Sequence, residues 1–489
     1  MFAMIGIAFL SIFIYFVVAK LVIGGRWSTG MMLGGFDNWM AGGTMYTTEG
    51  LSIGSVYSPG SLFLAMITRI FFGYSAETAI IVIGGLFILL TLWAYASLSD
   101  ESLAKRYSLF LICSFFFIIQ FPWVRSYSLE MHPDIPCLMF FVWGVVYVGK
   151  YLKANNSVFL IVSSILMYCS GIFKANAIFL FVGIGIYVLF STKIQWKQKW
   201  PILLAELIAG IGVLITMLSF AGCLYNSVIV MSTHPLVGFD EYLTYISDAI
   251  RRDGIFILLL FVSSFLLLRK VLRFKSVVEE MWVCGAVLWF LFGLYGAAKV
   301  GSNCGNIEAS LVALLPVILP TVEMVYSKLS HATLFEKLRN RRFFITSTSI
   351  VCVISCIVVI LFSVNRTFSK FCLFQERLEH QTQFANWLNT HYPGRNIAFN
   401  ASEYELLNGA NVKKKSDFHM AEHYFFGGLL SDKDLAALSK KEEWEIIVTT
   451  PDIVDKRWPE NFSAFKKLSM DEYPGFEMGD QWVEVFVKE

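Results

Sequence analysis

Residues 75–98 read SAETAIIVIGGLFILLTLWAYASL, and beyond Glu77 this stretch holds no charged side chain. At about 1.5 Å of rise per residue, a helix of this length matches a hydrocarbon core about 30 Å thick. Backbone N–H and C=O groups in hydrocarbon must be paired within the segment, which a helix achieves and an isolated strand does not. Comparable apolar runs occur at 2–23, 107–121, 134–150, 157–171, 175–191, 201–220, 254–268, 281–298, 309–326 and 343–364. They predict a polytopic α-helical membrane protein with about eleven spans. The short alternating segments of a β-barrel are absent, which excludes that architecture.

The composition agrees, with 56% hydrophobic residues, 16% charged and 45 Phe, against roughly 45–50% apolar in soluble domains. A net charge of +2 with no basic stripe gives no footprint for nucleic acid. The nine Cys lie mostly inside apolar runs without paired spacing, so they read as small apolar fillers and neither a disulfide framework nor a zinc site is expected. Residues 1–23 lack a basic start and an Ala-x-Ala cleavage site, and read as an uncleaved first helix. Lys and Arg crowd loops 99–106, 151–156, 192–200, 269–280 and 327–342, which places those loops and the N-terminus in the cytoplasm. An odd number of spans then puts the C-terminal region outside.

Beyond 364 the apolar runs shorten, and residues 365–489 read as a soluble α/β domain on the outer face, following a membrane domain over 1–364. Phe371, Phe374, Leu378, Phe384, Trp387 and Leu388 recur at helical spacing before Pro393-Gly394. Ser431 with Asp434 marks a helix over 432–441, and 445–450 and 482–487 read as strands.

Charge held beside hydrocarbon is costly, so the charged groups at the outer ends of the spans are the candidates for chemistry. Asp37 stands in Gly34-Gly35-Phe36-Asp37-Asn38-Trp39. Glu49 precedes Gly50, and Tyr57-Ser58-Pro59-Gly60 opens a helix over 61–72, too short to cross and expected along the outer surface. A loop from Pro122 to Asp134 holds Arg125, Glu130, His132 and Asp134. Arg125 offers a planar fork of donors to a phosphate, and Glu130 or Asp134 can orient hydroxyls or support a catalytic acid. Plainer roles compete: snorkelling for Arg125, capping for Asp37 and Asp134, and a water-facing ring for His132. Lys174, at a tight outer turn, either snorkels or meets a lipid phosphate. In the last outer loop Lys299, Asn303, Asn306 and Glu308 are interspersed with Gly301 and Gly305, which permit close backbone approach.

In this order the motifs resemble the GT-C glycosyltransferases, and within them the bacterial superfamily of protein O-mannosyltransferases and aminoarabinose transferases, family 39-like. The resemblance rests on Asp37, Gly50 with Tyr57-Ser58-Pro59-Gly60, the Leu-Glu-x-x-Pro-Asp of 129–134, the Gly-x-x-Lys of 171–174 and the Gly-Ser-x-x-Gly-Asn-x-x-Glu of 301–308. It covers most of residues 1–330 by order and spacing, each motif being weak alone. It implies transfer of a sugar from a polyprenyl (undecaprenyl) phosphate to a glycan, lipid or protein acceptor on the outer face of a bacterial inner membrane, with inversion at the anomeric carbon. Asp37 is then the general base, with Glu130 and Asp134 beside it. Arg125, Lys174 and Lys299 serve the donor phosphate, and Glu49, Tyr57, Asn303, Asn306 and Glu308 line the substrate. Asn38 departs from the pattern, since many relatives carry a second acid there; Glu49 and Glu130 are the residues left to supply it. No nucleotide or other cofactor is implied, and although carboxylates are available for a divalent cation, no metal-ligand cluster stands out.

Two rival readings compete with it, the first from another class and the second also a membrane enzyme using lipid-linked sugars. A transporter or flippase of lipid-linked sugars would show internal repeats and polar groups near the midplane, whereas no repeat is visible here and Glu206 is the main charge away from the outer ends. An O-antigen polymerase or ligase is expected to carry its arginines in a large late outer loop, but 221–253 holds only Arg251 and Arg252. The acceptor class, including O-antigen, lipid A core, another surface glycan and protein, stays open.

Overall fold

The computed structural model describes residues 2–23, 27–40, 46, 58–99, 101–130, 132–299, 305–331, 342–399, 406–407, 409–417, 443–449, 464–475, 477–478 and 481–488. Fifteen principal helices follow one another among them. They are α1 (Phe2–Ile23), α2 (Trp27–Met40), α3 (Pro59–Phe72), α4 (Ala76–Ser97), α5 (Leu103–Gln120), α6 (Pro122–Leu129), α7 (Asp134–Ala154) and α8 (Val158–Phe173). There follow α9 (Ile178–Phe190), α10 (Trp196–Ser219), α11 (Phe239–Leu268), α12 (Val277–Ala297), α13 (Gly305–Ala313), α14 (Leu315–His331) and α15 (Arg342–His391). Every expected apolar run lies in one of these helices or, for 309–326, in the pair α13 and α14, which is bent by 57°.

Six helices among the described residues are long and apolar enough to cross a bilayer: α4, α5, α7, α10, α12 and the 353–391 part of α15; the bent pair makes a seventh if it is one span. The chain is a multi-pass membrane protein. The expected eleven crossings require α1, α8, α9 and the apolar half of α11 to cross as well. The tight hairpin expected over 157–191 is two separate helices joined at Lys174, whose extended backbone (φ −148°, ψ 120°) leads into a 3₁₀ turn at Ala175–Ala177.

Lipid tails are as apolar as Leu, so helices in a membrane associate through close packing and not through the hydrophobic effect. The abundant Phe supplies part of that packing as ring pairs, such as Phe141 with Phe181 at 4.9 Å and Phe121 with Phe256 at 5.0 Å, both edge to face. Glycine supplies another part. A Cβ at Gly183 of α9 would stand 2.6 Å from Gly285 Cα and 2.7 Å from the Cys284 carbonyl of α12, so backbone meets backbone at this crossing.

Helix α3 forms over the segment expected to be a short helix. It buries Leu62, Ala65 and Thr68 and leaves Ile67, Ile70 and Phe71 exposed. Segment 221–253 contains a π-helical turn (Tyr225–Val230) and then the first half of α11, which kinks at Asp253 (φ −108°, ψ 15°). Gln120 serves the broken ladder there, its Oε1 accepting the Phe256 N–H at 3.2 Å.

The C-terminal strands form a five-stranded mixed sheet, ordered β2 (Lys414–Asp417), β1 (Asn396–Phe399), β3 (Ile446–Thr449), β7 (Glu484–Lys488), β4 (Phe465–Lys467). β1 runs parallel to β2 and β3, and β7 runs antiparallel to β3 and β4. A two-stranded ribbon, β5 (Glu477–Met478) with β6 (Gln481–Trp482), precedes β7. The strands expected near 445–450 and 482–487 coincide with β3 and with β6 and β7. The expected helix over 432–441, with its Ser431 and Asp434 cap, lies outside the described residues. Residue 364, the expected domain boundary, falls within α15, whose last turns place Phe384 and Leu388 in one core with Ile397, Phe399, Ile446 and Val448. Met32 and Leu33 of α2 belong to that same core.

Gly183→Leu is expected to weaken the α9–α12 crossing by about 1–3 kcal/mol, the usual range for overpacking. Gly210→Leu, at a position with open space around it, serves as the control. Thermal melting of the purified protein in detergent checks the pair, and equal melting points would show that the backbone contact contributes nothing.

Candidate functional site

The segment from Pro122 to Asp134, expected as a loop, winds into helix α6 over its first eight residues, with Pro122 at the first-turn position that needs no N–H. Gly84 on α4 makes room for it: a Cβ there would lie 2.5 Å from the Ser128 carbonyl oxygen. Thr29 of α2 donates to the Glu130 carbonyl at 2.9 Å. Lys20, near the end of α1, forms an ion pair with the Glu130 carboxylate and donates to Ser126 Oγ at 3.1 Å, with 9% and 3% of the two ion-paired side chains exposed. Four elements are thereby tied together at this end of the bundle.

Asp37 lies on α2 and is met by Arg69 of α3, whose Nη2 donates to Asp37 Oδ2 at 3.1 Å. Arg69 Nη1 also donates to the Gly73 carbonyl at 3.1 Å, which fixes the fork. This pair is less enclosed than the first, with about a fifth of the Asp37 side chain exposed. It therefore presents a held carboxylate near the surface.

A third group forms where α7 begins. Asp134 accepts from Lys174 Nζ at 2.5 Å through one oxygen and pairs with His132 Nδ1 at 2.6 Å through the other. Beside it is a small cavity of about 40 Å³, lined by Asp134, Lys174, Asn176, Trp289, Asn306 and Ser310 among others. Gly293 on α12 lets Ser310 of α13 approach, since a Cβ there would overlap the Ser310 hydroxyl. Three residues singled out in the sequence, Asp134, Lys174 and Asn306, thus share one cavity.

Glu308 on α13 is fully buried and accepts the Val124 N–H at 3.2 Å. Arg125, next to it, donates to the Ile118 carbonyl and stacks on Phe16, its Cζ 3.8 Å from the ring centroid. Lys299 lies farther from these groups in bonding, its ammonium donating to the carbonyls of Met231 at 3.0 Å and Ser232 at 2.8 Å. Glu49, Tyr57 and Asn303 lie outside the described residues, as does the side chain of Asn38. Among the described residues, no three His, Cys, Asp or Glu side chains gather to hold a metal ion.

Sequence reading missed Lys20, Arg69, Asn176, Trp289 and Asp253. Lys20 and Arg69 carried a usable signal, a single charge at the end of an otherwise apolar helix. Asp253 is fully buried at the α11 kink, and its carboxylate oxygens have no hydrogen-bond donor among the described residues. Its charged neighbours are Glu308 and Arg252.

Removing one partner of a buried ion pair strands the other charge, at a cost of about 3–5 kcal/mol. Lys20→Met is therefore expected to lower the unfolding midpoint strongly, and Lys20→Met combined with Glu130→Gln to regain much of the loss. A double-mutant cycle by thermal or denaturant unfolding measures this, and a neutral Lys20→Met would remove the pair from the structure's supports.

No protein-family model matches the sequence, and no curated protein matches it. Among solved structures, the chain is similar to ArnT from Cupriavidus metallidurans bound to undecaprenyl phosphate, with 11% identity, a TM-score of 0.53, and coverage of 97% of this chain and 96% of that one. The apo state of the same ArnT gives 12% identity and a TM-score of 0.48, covering 96% and 95%. The oligosaccharyltransferase AglB from Archaeoglobus fulgidus, in complex with an inhibitory peptide and a dolichol-phosphate, gives 10% identity and a TM-score of 0.47, covering 95% and 73%. At these identities the likeness concerns the path of the backbone, and it extends from the first helix through the C-terminal sheet. With its bundle of apolar helices followed by a small mixed sheet, the chain shares the fold of that undecaprenyl phosphate-bound ArnT.

Proposed function

We propose that the chain transfers a sugar from a polyprenyl (undecaprenyl) phosphate carrier to an envelope glycan, lipid or protein acceptor, with inversion, on the outer face of a bacterial inner membrane. In this reading residues 1–364 form the membrane unit, with a cytoplasmic N-terminus, and residues 365–489 an outer α/β unit. What supports it is that three carboxylates singled out in the sequence, Asp37, Glu130 and Asp134, are each held in an ion pair by a cation from another element of the apolar bundle. The fold of the undecaprenyl phosphate-bound ArnT supports it.

Asp37 is the general base. It takes the proton of the acceptor hydroxyl while that oxygen bonds to the anomeric carbon, and the bond from that carbon to the phosphate oxygen breaks with its electron pair. Arg69 holds the carboxylate in one orientation at the mouth. Glu130, locked by Lys20, supports α6 and its Arg125, and Asp134 orients sugar hydroxyls. Charge grows on the departing phosphate, so cations placed around it lower the barrier. Arg125 and Arg69 are assigned this role, with Lys299 as a further cation. Asn306 and Glu308, with Glu49, Tyr57 and Asn303, complete the substrate surroundings. The exposed apolar side chains of α3 seat the donor's entrance at the membrane surface.

Asp37→Asn is expected to lower sugar transfer in membranes by about 100- to 10,000-fold, the usual contribution of a positioned base, with insertion unchanged. Full retained transfer would remove Asp37 from this role. Arg125→Ala is expected to weaken both donor saturation and turnover; unchanged values would leave the arginine as an interfacial anchor. Mass spectrometry of envelope glycans from cells with and without the gene reads the transferred residue as a mass difference, and identical spectra would oppose the whole assignment.

A further inference from the structure

We propose that the cavity shared by Asp134, Lys174, Asn176, Trp289, Asn306 and Ser310 receives a neutral, hydroxyl-bearing edge of the transferred sugar, so that Lys174 reads the sugar and not the phosphate. This deepens the transferase reading and rests on it. Size is the first ground. At about 40 Å³ the cavity has room for a few water-sized groups, one such group needing about 10–15 Å³ by the same measure. A hydroxymethyl or a pair of ring hydroxyls fits, whereas a phosphate diester with its lipid does not.

Charge is the second ground. The Lys174 ammonium is already met by Asp134 at 2.5 Å, and that carboxylate is buried. A phosphate brought into contact here would place its negative charge against Asp134 in a poorly hydrated setting, where like charges repel strongly. A neutral hydroxyl meets no such penalty, since it can accept from the ammonium and donate to the carboxylate.

The lining offers the matching donors and acceptors. Asn176 and Asn306 each present an amide with both kinds of group. Ser310 donates to the Asn306 carbonyl at 2.8 Å, which leaves its oxygen lone pairs toward accepting. Trp289 is the most telling member. It is 3% exposed, it lines the cavity, and its indole N–H has no acceptor among the described residues. Buried donors are rarely left unpaired, and a sugar oxygen entering the cavity supplies the acceptor.

The test measures binding to the purified full-length protein in nanodiscs. The probes are bare undecaprenyl phosphate and the same carrier bearing glucose, galactose, mannose, N-acetylglucosamine or arabinose. At least one glycosylated carrier is expected to bind more tightly than the bare one. Trp289→Phe, which keeps the ring and removes the donor, and Asn176→Leu, on the 3₁₀ turn, are each expected to reduce that gain by about three- to tenfold, the worth of one neutral hydrogen bond. Affinity for the bare carrier should stay as in the wild type. Two variants on separate elements, each checked by its melting point, keep the test informative if one fails to fold. The proposal is overturned if no glycosylated carrier gains over the bare one, if the gain survives in the folded variants, or if the bare carrier weakens by the same factor, which would make this a phosphate site. Failure of the wild type to bind the bare carrier would overturn the polyprenyl phosphate reading itself, and this subsite with it.

Discussion

Lys20 and Glu130 hold each other in a place where neither could stand alone. Both side chains are nearly excluded from solvent, and a single charge there would carry a desolvation penalty of several kcal/mol. Their pairing settles which end of α1 meets α6, and Thr29 adds α2 to the same junction through the Glu130 carbonyl. The start of α7, with Asp134, follows a few residues later. The positions of the other polar groups at this end depend on that junction, because α6 carries Arg125 and offers its Val124 N–H to Glu308.

The pairs differ in enclosure, and the difference tracks the roles proposed for them. Lys20 with Glu130 is the most enclosed and is architectural. Asp134 faces a cavity, held between Lys174 and His132. Asp37 with Arg69 is the most open, as suits a carboxylate that must meet an acceptor arriving from water. The sheet at the far end of α15 is not remote from this chemistry, since Met32 and Leu33 of the Asp37 helix share its core.

Much of the scaffold is legible in the sequence. Each apolar run appeared as a helix because hydrocarbon leaves the backbone no other way to satisfy itself locally. β3 and β7 were legible for a related reason, being short apolar stretches between polar ones. The kink at Asp253 was not, because it depends on Gln120 reaching across from α5 to serve a broken ladder. Helix α6 was read as loop, since its eight residues are too few to show a helical period and its packing depends on the missing side chain of Gly84.

The candidate site was legible as a set of residues and not as an arrangement. Asp37, Arg125, Glu130, Asp134, Lys174 and Glu308 drew notice because charge at the edge of apolar runs is costly wherever it occurs, a property each position carries by itself. Their partners could not be read that way. Lys20 meets α6 more than a hundred positions away, and Trp289 joins Asp134 and Lys174 only once α12 lies against α9. Composition and local period therefore determined by themselves that the chain enters the membrane, and where. The tertiary structure alone decided which charges neutralise one another, because a salt bridge or a shared cavity depends on distances between helices, and helix packing sets those distances.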